Sequence, residues 1–511
     1  MSRLIFSNLL AAAIMAVATH ASADTLTDTL SRGQKAQDVT PTPDKKIPPV
    51  VHSAVGDSSA GVAGRLRLYN IGKRQQYSGS QHDTWDTDVF SPKSAIFSPD
   101  GKRFYVNSLE GCRTVVYDSE TLDKIATVKY NFPAGGGELA APMSGYYPFT
   151  HYPDGATRSF SGKPVEMALS HDGRYLWVPF YRRSFDINAQ DPSAMVVVDT
   201  HDNQIVRLFE TGPLAKMVAV STDGGLVAVT HWGDNTIGLL DVSADEPARW
   251  HYLPPVIVGN KLTLNFPLDS AVNRDAKSGF LLRGTVFTPD DRYLLVSGMA
   301  GPLQVIDVKN RTHIGSVNDL YGLRHLEIKD GYLYGSHNIS GMVLKVRLDS
   351  LIASIDRARN AGSRRFDIGA PVDRCAVGKG ARTLTVSPDG TYLFVACNSA
   401  SAVYVVDAER MRVADTIRCD SYPVGLAVSP DGHRLVVTSQ GRESHGGNAV
   451  NIFRIERFGS DSLFLKSLQP PAGEDVAISD ETGEDQSFVN YRRDRRLPIL
   501  GAVLLLLAGG V

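Results

Sequence analysis

Cysteine is scarce, and its scarcity removes several function classes at once. Cys112, Cys375, Cys397 and Cys419 are the only four in 511 residues, and no C-x-x-C or C-x-x-C-H spacing occurs. A disulfide scaffold, a cysteine-rich zinc site and covalently attached haem are therefore disfavoured. Charge of one sign is missing too: 53 Lys and Arg stand against 55 Asp and Glu, a net charge of −2. Without a basic excess no nucleic-acid partner is expected. The 46 Gly and 27 Pro argue against a coiled coil. G-x-S-x-G, H-E-x-x-H, P-loop and paired-carboxylate signatures are absent. No metal site or cofactor is implied. A 42% hydrophobic share is ordinary for a globular protein, and the length exceeds what one compact core usually accommodates. Two domains or one repeat architecture remain.

What is present is repetition. "TLTVSPDGTYLFVACN" from Thr383 and "GLAVSPDGHRLVVTSQ" from Gly425 are near copies. Earlier versions surround Asp100 ("AIFSPDGKRFYVN"), Asp172 ("MALSHDGRYLWVP"), Asp223 ("VAVSTDGGLVAVT") and Asp290 ("TVFTPDDRYLLVS"). A degenerate one, "LEIKDGYLYGS", surrounds Asp330. With Asp389 and Asp431 there are seven, spaced by 72, 51, 67, 40, 59 and 42 residues. The shortest spacings match a four-stranded propeller blade, and the longer ones add loops.

Each copy carries hairpin chemistry. A short apolar strand enters Ser/Thr-x-Asp-Gly, where Asp bonds its own backbone and Gly supplies positive φ. A second strand such as "YLFVA" is apolar almost throughout, as expected when both sheet faces are covered. A third often ends in Asp: "TVVYD" at Asp118, "MVVVD" at Asp199, "VYVVD" at Asp407. Helical periodicity is absent across the repeats. The expected fold is all-β, a seven-bladed β-propeller of four-stranded antiparallel blades; a pair of β-sandwiches fits the fixed turn period less well. Leu66–Gly79 reads as a third and fourth strand without the first two, so an N-terminal strand is expected to close the ring and remove its free edges.

The SPDG-strand-"VVD" repeats over residues 63–457 resemble the YVTN-type (YncE-like) seven-bladed propellers, relatives of lactonase-type and cytochrome-d1-type propellers. The resemblance implies the fold and leaves the activity open, since such propellers include binding proteins, lactonases and haem enzymes.

Outside the repeats, residues 1–23 read as a secretory signal peptide: Arg3, an apolar run from Leu9 to Val17, then Ala21 and Ala23. The mature protein is expected to be exported, periplasmic or secreted. Residues 24–62 read as a flexible leader and 458–496 as a polar linker. Residues 497–511 form an apolar tail, shorter than the roughly 20 residues of a spanning helix. Membrane contact through that tail, docking on the domain and a sorting signal all stay open.

In such a ring the SPDG turns mark one face. The long insertions, Asn131–Pro164, Arg182–Ser193, Ala244–Leu282 and Ser350–Ala381, are assigned to the opposite face, where binding concentrates. There Lys93, Lys216, Arg283 and Arg382 share one position before the turn, with Arg324 offset by one; Glu166 and Gly425 break the pattern. Converging at the channel mouth, these cations would bind an anion. The second-strand ends supply a polar ring, Asn107, Tyr181, His231, Ser297, His337, Asn398 and Gln440, whose alternative use is turn capping. The loop Ser439–Asn448 adds Arg442.

The favoured reading is a monomeric binding or scaffold protein for an anionic small molecule, glycan or protein. The alternatives are a lactonase-like hydrolase using Glu166 and His231 as acid and base, and a non-covalent haem or redox propeller. One disulfide among Cys375, Cys397 and Cys419 is expected in an oxidising compartment.

Overall fold

The computed structural model describes residues 49–61, 66–76, 84–274, 279–441 and 446–457. Their strands form seven sheets, each built on a four-stranded antiparallel blade led by one SPDG-type hairpin, with Arg365–Phe366 adding a parallel edge to one of them. Blade 1 is Pro92–Phe97, Arg103–Ser108, Arg113–Asp118 and Lys124–Lys129; blade 2 is Ala168–Ser170, Tyr175–Arg183, Ser193–Asp199 and Gln204–Thr211. Blade 3 is Ala215–Val220, Leu226–His231, Thr236–Asp241 and His251–Ile257; blade 4 is Leu282–Phe287, Tyr293–Gly298, Pro302–Asp307 and Thr312–Tyr321. Blade 5 is His325–Lys329, Tyr332–His337, Met342–Arg347 and Val372–Ala376; blade 6 is Ala381–Val386, Tyr392–Cys397, Ala402–Asp407 and Arg412–Arg418. The fold is the seven-bladed β-propeller.

Blade 7 joins the two ends of the propeller. Its inner strands are Pro423–Val428, Arg434–Ser439 and Ala449–Arg457, and its fourth is Leu66–Gln75, antiparallel to the third from Leu66 against Arg457 to Gln75 against Ala449. An N-terminal strand closes the ring as expected, but Leu66–Gln75 is one strand and not a third and fourth. Leu66 and Leu68 are fully buried in the core between blades 6 and 7, among Phe394, Val403 and Phe453.

The turns show why Ser/Thr and Asp recur together. Ser98 Oγ donates to Asp100 Oδ1 at 2.6 Å and accepts from Arg103 N at 3.0 Å, with Gly101 at φ +71°. Ser221–Asp223, Thr288–Asp290 and Ser387–Asp389 repeat the contact at 2.6–2.7 Å. Hydroxyl and carboxylate thus hold the hairpin that glycine permits. The second strands behind these turns, such as Tyr293–Gly298 and Tyr392–Cys397, are buried along their whole length.

Four features depart from the sequence reading. First, Leu348–Asn360 is an α-helix, with Leu348, Leu351 and Ile355 buried at helical spacing. Second, it connects the third and fourth strands of blade 5, so this part of the Ser350–Ala381 insertion lies on the SPDG-turn face; Arg292 and Tyr293 of blade 4 bond its Asp356. Likewise His251–Ile257, inside the assumed Ala244–Leu282 loop, is a strand. Third, the end of the expected flexible leader is docked. Val51 N donates to Ser421 Oγ at 2.8 Å, and Leu68 N donates to Ser59 Oγ at 2.9 Å, with Ser53 and Ser59 buried. Fourth, all four cysteines are free thiols, so the expected disulfide is not formed. Cys397 ends the second strand of blade 6 and Cys419 follows the fourth, with the third strand paired between them.

Candidate functional site

Most innermost strands open with a β-bulge, and the bulges carry the cations. In blade 1 the paired residues jump from Pro92–Ser108 to Ala95–Val106, in blade 3 from Ala215–His231 to Val218–Val229, and in blade 4 from Leu282–Gly298 to Thr285–Val296. Each jump sets two residues against one. In blade 6 the extra residue is Arg382, between Ala381 and Thr383; in blade 7 it is Val424. A bulge re-aims the side chain it bears, here Lys93, Lys216, Arg283 and Arg382. Arg324 directly precedes the first strand of blade 5, and Glu166 lies two residues before that of blade 2.

A belt of hydrogen bonds across blade boundaries holds these positions. Thr438 Oγ1 donates to the Lys93 carbonyl at 3.1 Å, Thr230 Oγ1 to that of Arg283 at 3.3 Å, and Ser336 Oγ to that of Arg382 at 2.7 Å. Asn107 Nδ2 donates to the Glu166 carbonyl at 3.3 Å. In each case the donor belongs to the preceding blade. Fixing the carbonyl fixes the backbone from which the charged side chain departs.

Lys93, Lys216, Arg283, Arg324 and Arg382 are all buried, none more than 9% exposed. Arg283 Nη2 donates to Glu166 Oε1 at 2.8 Å, spanning from blade 4 to blade 2. Lys216 Nζ lies 4.4 Å from the Tyr181 ring centroid and 4.8 Å from that of Trp232, a cation–π cage. Arg324 Nη1 approaches Met299 Sδ at 2.9 Å, and Arg382 lies 6.0 Å from the Tyr422 ring centroid. Burial holds the Lys93 ammonium well below its ordinary range, reinforced by repulsion from Arg382, Arg283 and Arg324 and opposed by Glu166. These groups belong to blades 1, 2, 4, 5 and 6, and each stands at or just before the start of an innermost strand.

Within the channel is a cavity of about 290 Å³, lined by Ser94, Glu166, Met217, His325, Glu327 and Thr383 among others. Burial drops the His325 imidazole to about 4 and raises the Glu327 carboxyl to about 7, while Val386 N donates to Glu327 Oε1 at 3.0 Å. Near pH 7, therefore, Glu327 offsets only part of a charge, and His325 adds none. The five cations are not among the residues lining this cavity, which extends to the turn residues Ser98, Pro99 and Pro430. Guanidinium forks beside Glu166 are chemically suited to the oxygen pairs of a small anion.

The sequence reading missed His325 and Glu327. They alternate at the strand period of two, which was the available signal, in the most degenerate of the seven copies. The polar ring has a different fate. Asn107 and His231 are fully buried. Asn107 bonds Ser94 and Glu166, and His231 takes Gly212 N at 3.1 Å on Nε2 and meets Thr236 Oγ1 at 2.7 Å on Nδ1. Burial drops the His231 imidazole to about 3, and the structure does not bring it to Glu166 as an acid–base pair. His337 Nδ1 accepts from Ser340 N at 3.1 Å, capping a turn; Asn398 starts a short 3₁₀ turn; Gln440 Nε2 donates to Ser91 Oγ at 3.0 Å. Arg442 lies outside the described residues. Among the described residues no group of three His, Cys, Asp or Glu is placed to hold a metal.

No family model matches the chain, and no curated protein matches it. Solved structures do. Hydrazine synthase from Kuenenia stuttgartiensis aligns over 75% of this chain and 100% of its own, at 14% identity and a TM-score of 0.48. The Cps50 (Swd1) β-propeller domain from Myceliophteria thermophila aligns over 75% and 99%, at 12% identity and a TM-score of 0.47. The propeller assignment itself rests on the seven sheets.

Proposed function

We propose that this chain is an exported, YVTN-type binding propeller whose channel mouth takes a small anion. One observation carries the reading: five buried cations, Lys93, Lys216, Arg283, Arg324 and Arg382, stand at or beside the innermost strands of five different blades, with Glu166 ion-paired to Arg283. Burying like charges together is costly unless an anion joins them. Export rests on the character of residues 1–23, which lie outside the described residues. A protein or glycan partner is a second reading, favoured by the apolar side chains exposed on the loop-rich face: Trp85, Met143, Leu268, Tyr321 and Ile339.

Calorimetry and thermal melts with phosphate, citrate and 2-hydroxyglutarate, against chloride at matched ionic strength, test the anion reading. At least one anion should raise Tm beyond the chloride control, and Arg382→Gln should weaken its binding about tenfold or more, equivalent to one charge-assisted contact. Equal melts in every salt would sink it.

A further inference from the structure

The channel cavity and the bulge cations lie at different heights in the ring. The cations stand where the innermost strands begin, whereas the cavity reaches the turns where those strands end, at Ser98, Pro99 and Pro430. Both prolines are exposed, so the cavity opens on the SPDG-turn face. Against apolar walls such as Ile96, Met217, Leu384 and Leu426 it sets His325 and Glu327 of blade 5 and Thr383 of blade 6. His325 opposes Ser336 and Glu327 opposes Tyr334 across the hairpin, so the two side chains share one face of their strand.

What these three groups offer is acceptors. Glu327 Oε1 takes Val386 N at 3.0 Å, yet among the described residues no cation pairs with its carboxylate. Lys329, two residues on, lies 4.0 Å from Asp330 instead. Thr383 Oγ1 spends its hydrogen on the Val424 carbonyl at 2.8 Å and keeps its lone pairs. The His325 ring makes no hydrogen bond among the described residues. Burial keeps it neutral near pH 7, so one ring nitrogen presents a lone pair. A carboxylate among apolar walls without a cation costs free energy that a bound cation offsets.

We propose that this cavity binds a small primary amine as its ammonium ion, with Glu327 as the counter-charge. The proposal does not depend on the anion reading. An alkylammonium carries three N–H donors and no acceptor, which matches the Glu327 carboxylate, Thr383 Oγ1 and the free lone pair of His325. Its alkyl chain then lies along Ile96 and Leu426 toward the turn face. A volume of about 290 Å³ is at the small end for ligand sites and restricts that chain to a few carbons.

The test is calorimetry and thermal melts of the full chain with n-propylammonium chloride at about pH 8, against potassium chloride at matched ionic strength. n-Propylammonium should bind and raise Tm beyond the salt control. Tetramethylammonium, a cation without N–H donors, and 1-propanol, the chain without the charge, should each bind about tenfold or more weaker. Glu327→Gln should weaken n-propylammonium binding about tenfold or more, the equivalent of one charge-assisted contact. Thr383→Val should weaken it roughly threefold or more, and it carries the test should Glu327→Gln fail to fold. The proposal is overturned if n-propylammonium does no more than potassium chloride, or if tetramethylammonium or 1-propanol matches it. Unchanged binding in folded Glu327→Gln overturns it equally.

Discussion

Arg283 on blade 4 donates to Glu166 on blade 2 at 2.8 Å, with their side chains 3% and 11% exposed. Glu166 is thus tied to a residue 117 positions further along the chain. Breaking a buried pair by removing one partner strands the other charge, at a cost of about 3–5 kcal/mol.

Glu166→Gln should therefore lower stability by a few kcal/mol at low salt. An anion in the channel should restore part of the loss, so the variant's Tm should climb more steeply with sulfate than that of the unsubstituted protein. Parallel sulfate dependences would show that Glu166 is not the counter-charge of the cation cluster.

Ring closure depends on Leu66–Gln75. Leu68 is fully buried against blades 6 and 7, whereas Ile125 on the outer strand of blade 1 is 43% exposed. Leu68→Ala should cost about 2–5 kcal/mol and Ile125→Ala much less. Denaturant unfolding followed by circular dichroism measures both. Equal, small losses would mean that the closing strand contributes little.

Glu327 makes stability fall as pH rises. Its carboxyl titrates at about 7 in the fold against an ordinary 4.5. Between those values the unfolded chain has lost a proton that the folded protein keeps, so the slope is negative across that window and the penalty is complete above about 7. Glu327→Gln should leave stability nearly unchanged at pH 4 and raise it by on the order of 2 kcal/mol at pH 8. Melts of both proteins across this range check the sign; a gain that is the same at both ends would refute it.

Thiol reactivity should follow burial. Cys397 and Cys419 are fully buried, and burial pushes the Cys397 thiol to about 12 and that of Cys419 well above its ordinary range. Only Cys112 is partly exposed. Iodoacetamide on the folded protein should label Cys112 first and the other three only on unfolding. Early labelling of Cys419 would contradict the packing of blade 6.

The propeller was legible because its cause is local. A hairpin of Ser/Thr, Asp and Gly is decided within about six residues, as in Ser98 to Arg103, and it recurs at blade length. Alternation and apolar second strands follow from the same short range. The helix Leu348–Asn360 was also written in the chain, at Leu348, Leu351 and Ile355, but a strand-dominated repeat obscures a single short amphipathic stretch.

The site was legible only in part. Shared offsets before each turn pointed to Lys93, Lys216, Arg283 and Arg382. They could not tell a buried cluster from solvated loop ends, because that depends on bulges and on ring closure. His231 shows the limit from the other side: its position matched the polar ring, yet packing against Tyr147 and bonds to Gly212 and Thr236 turned it into a buried strut. By itself the sequence determined where the chain turns and how often. Tertiary structure alone decided which charges meet, because Lys93 and Arg382 are 289 residues apart (382 − 93) and share one field only once the first and last blades are zipped together.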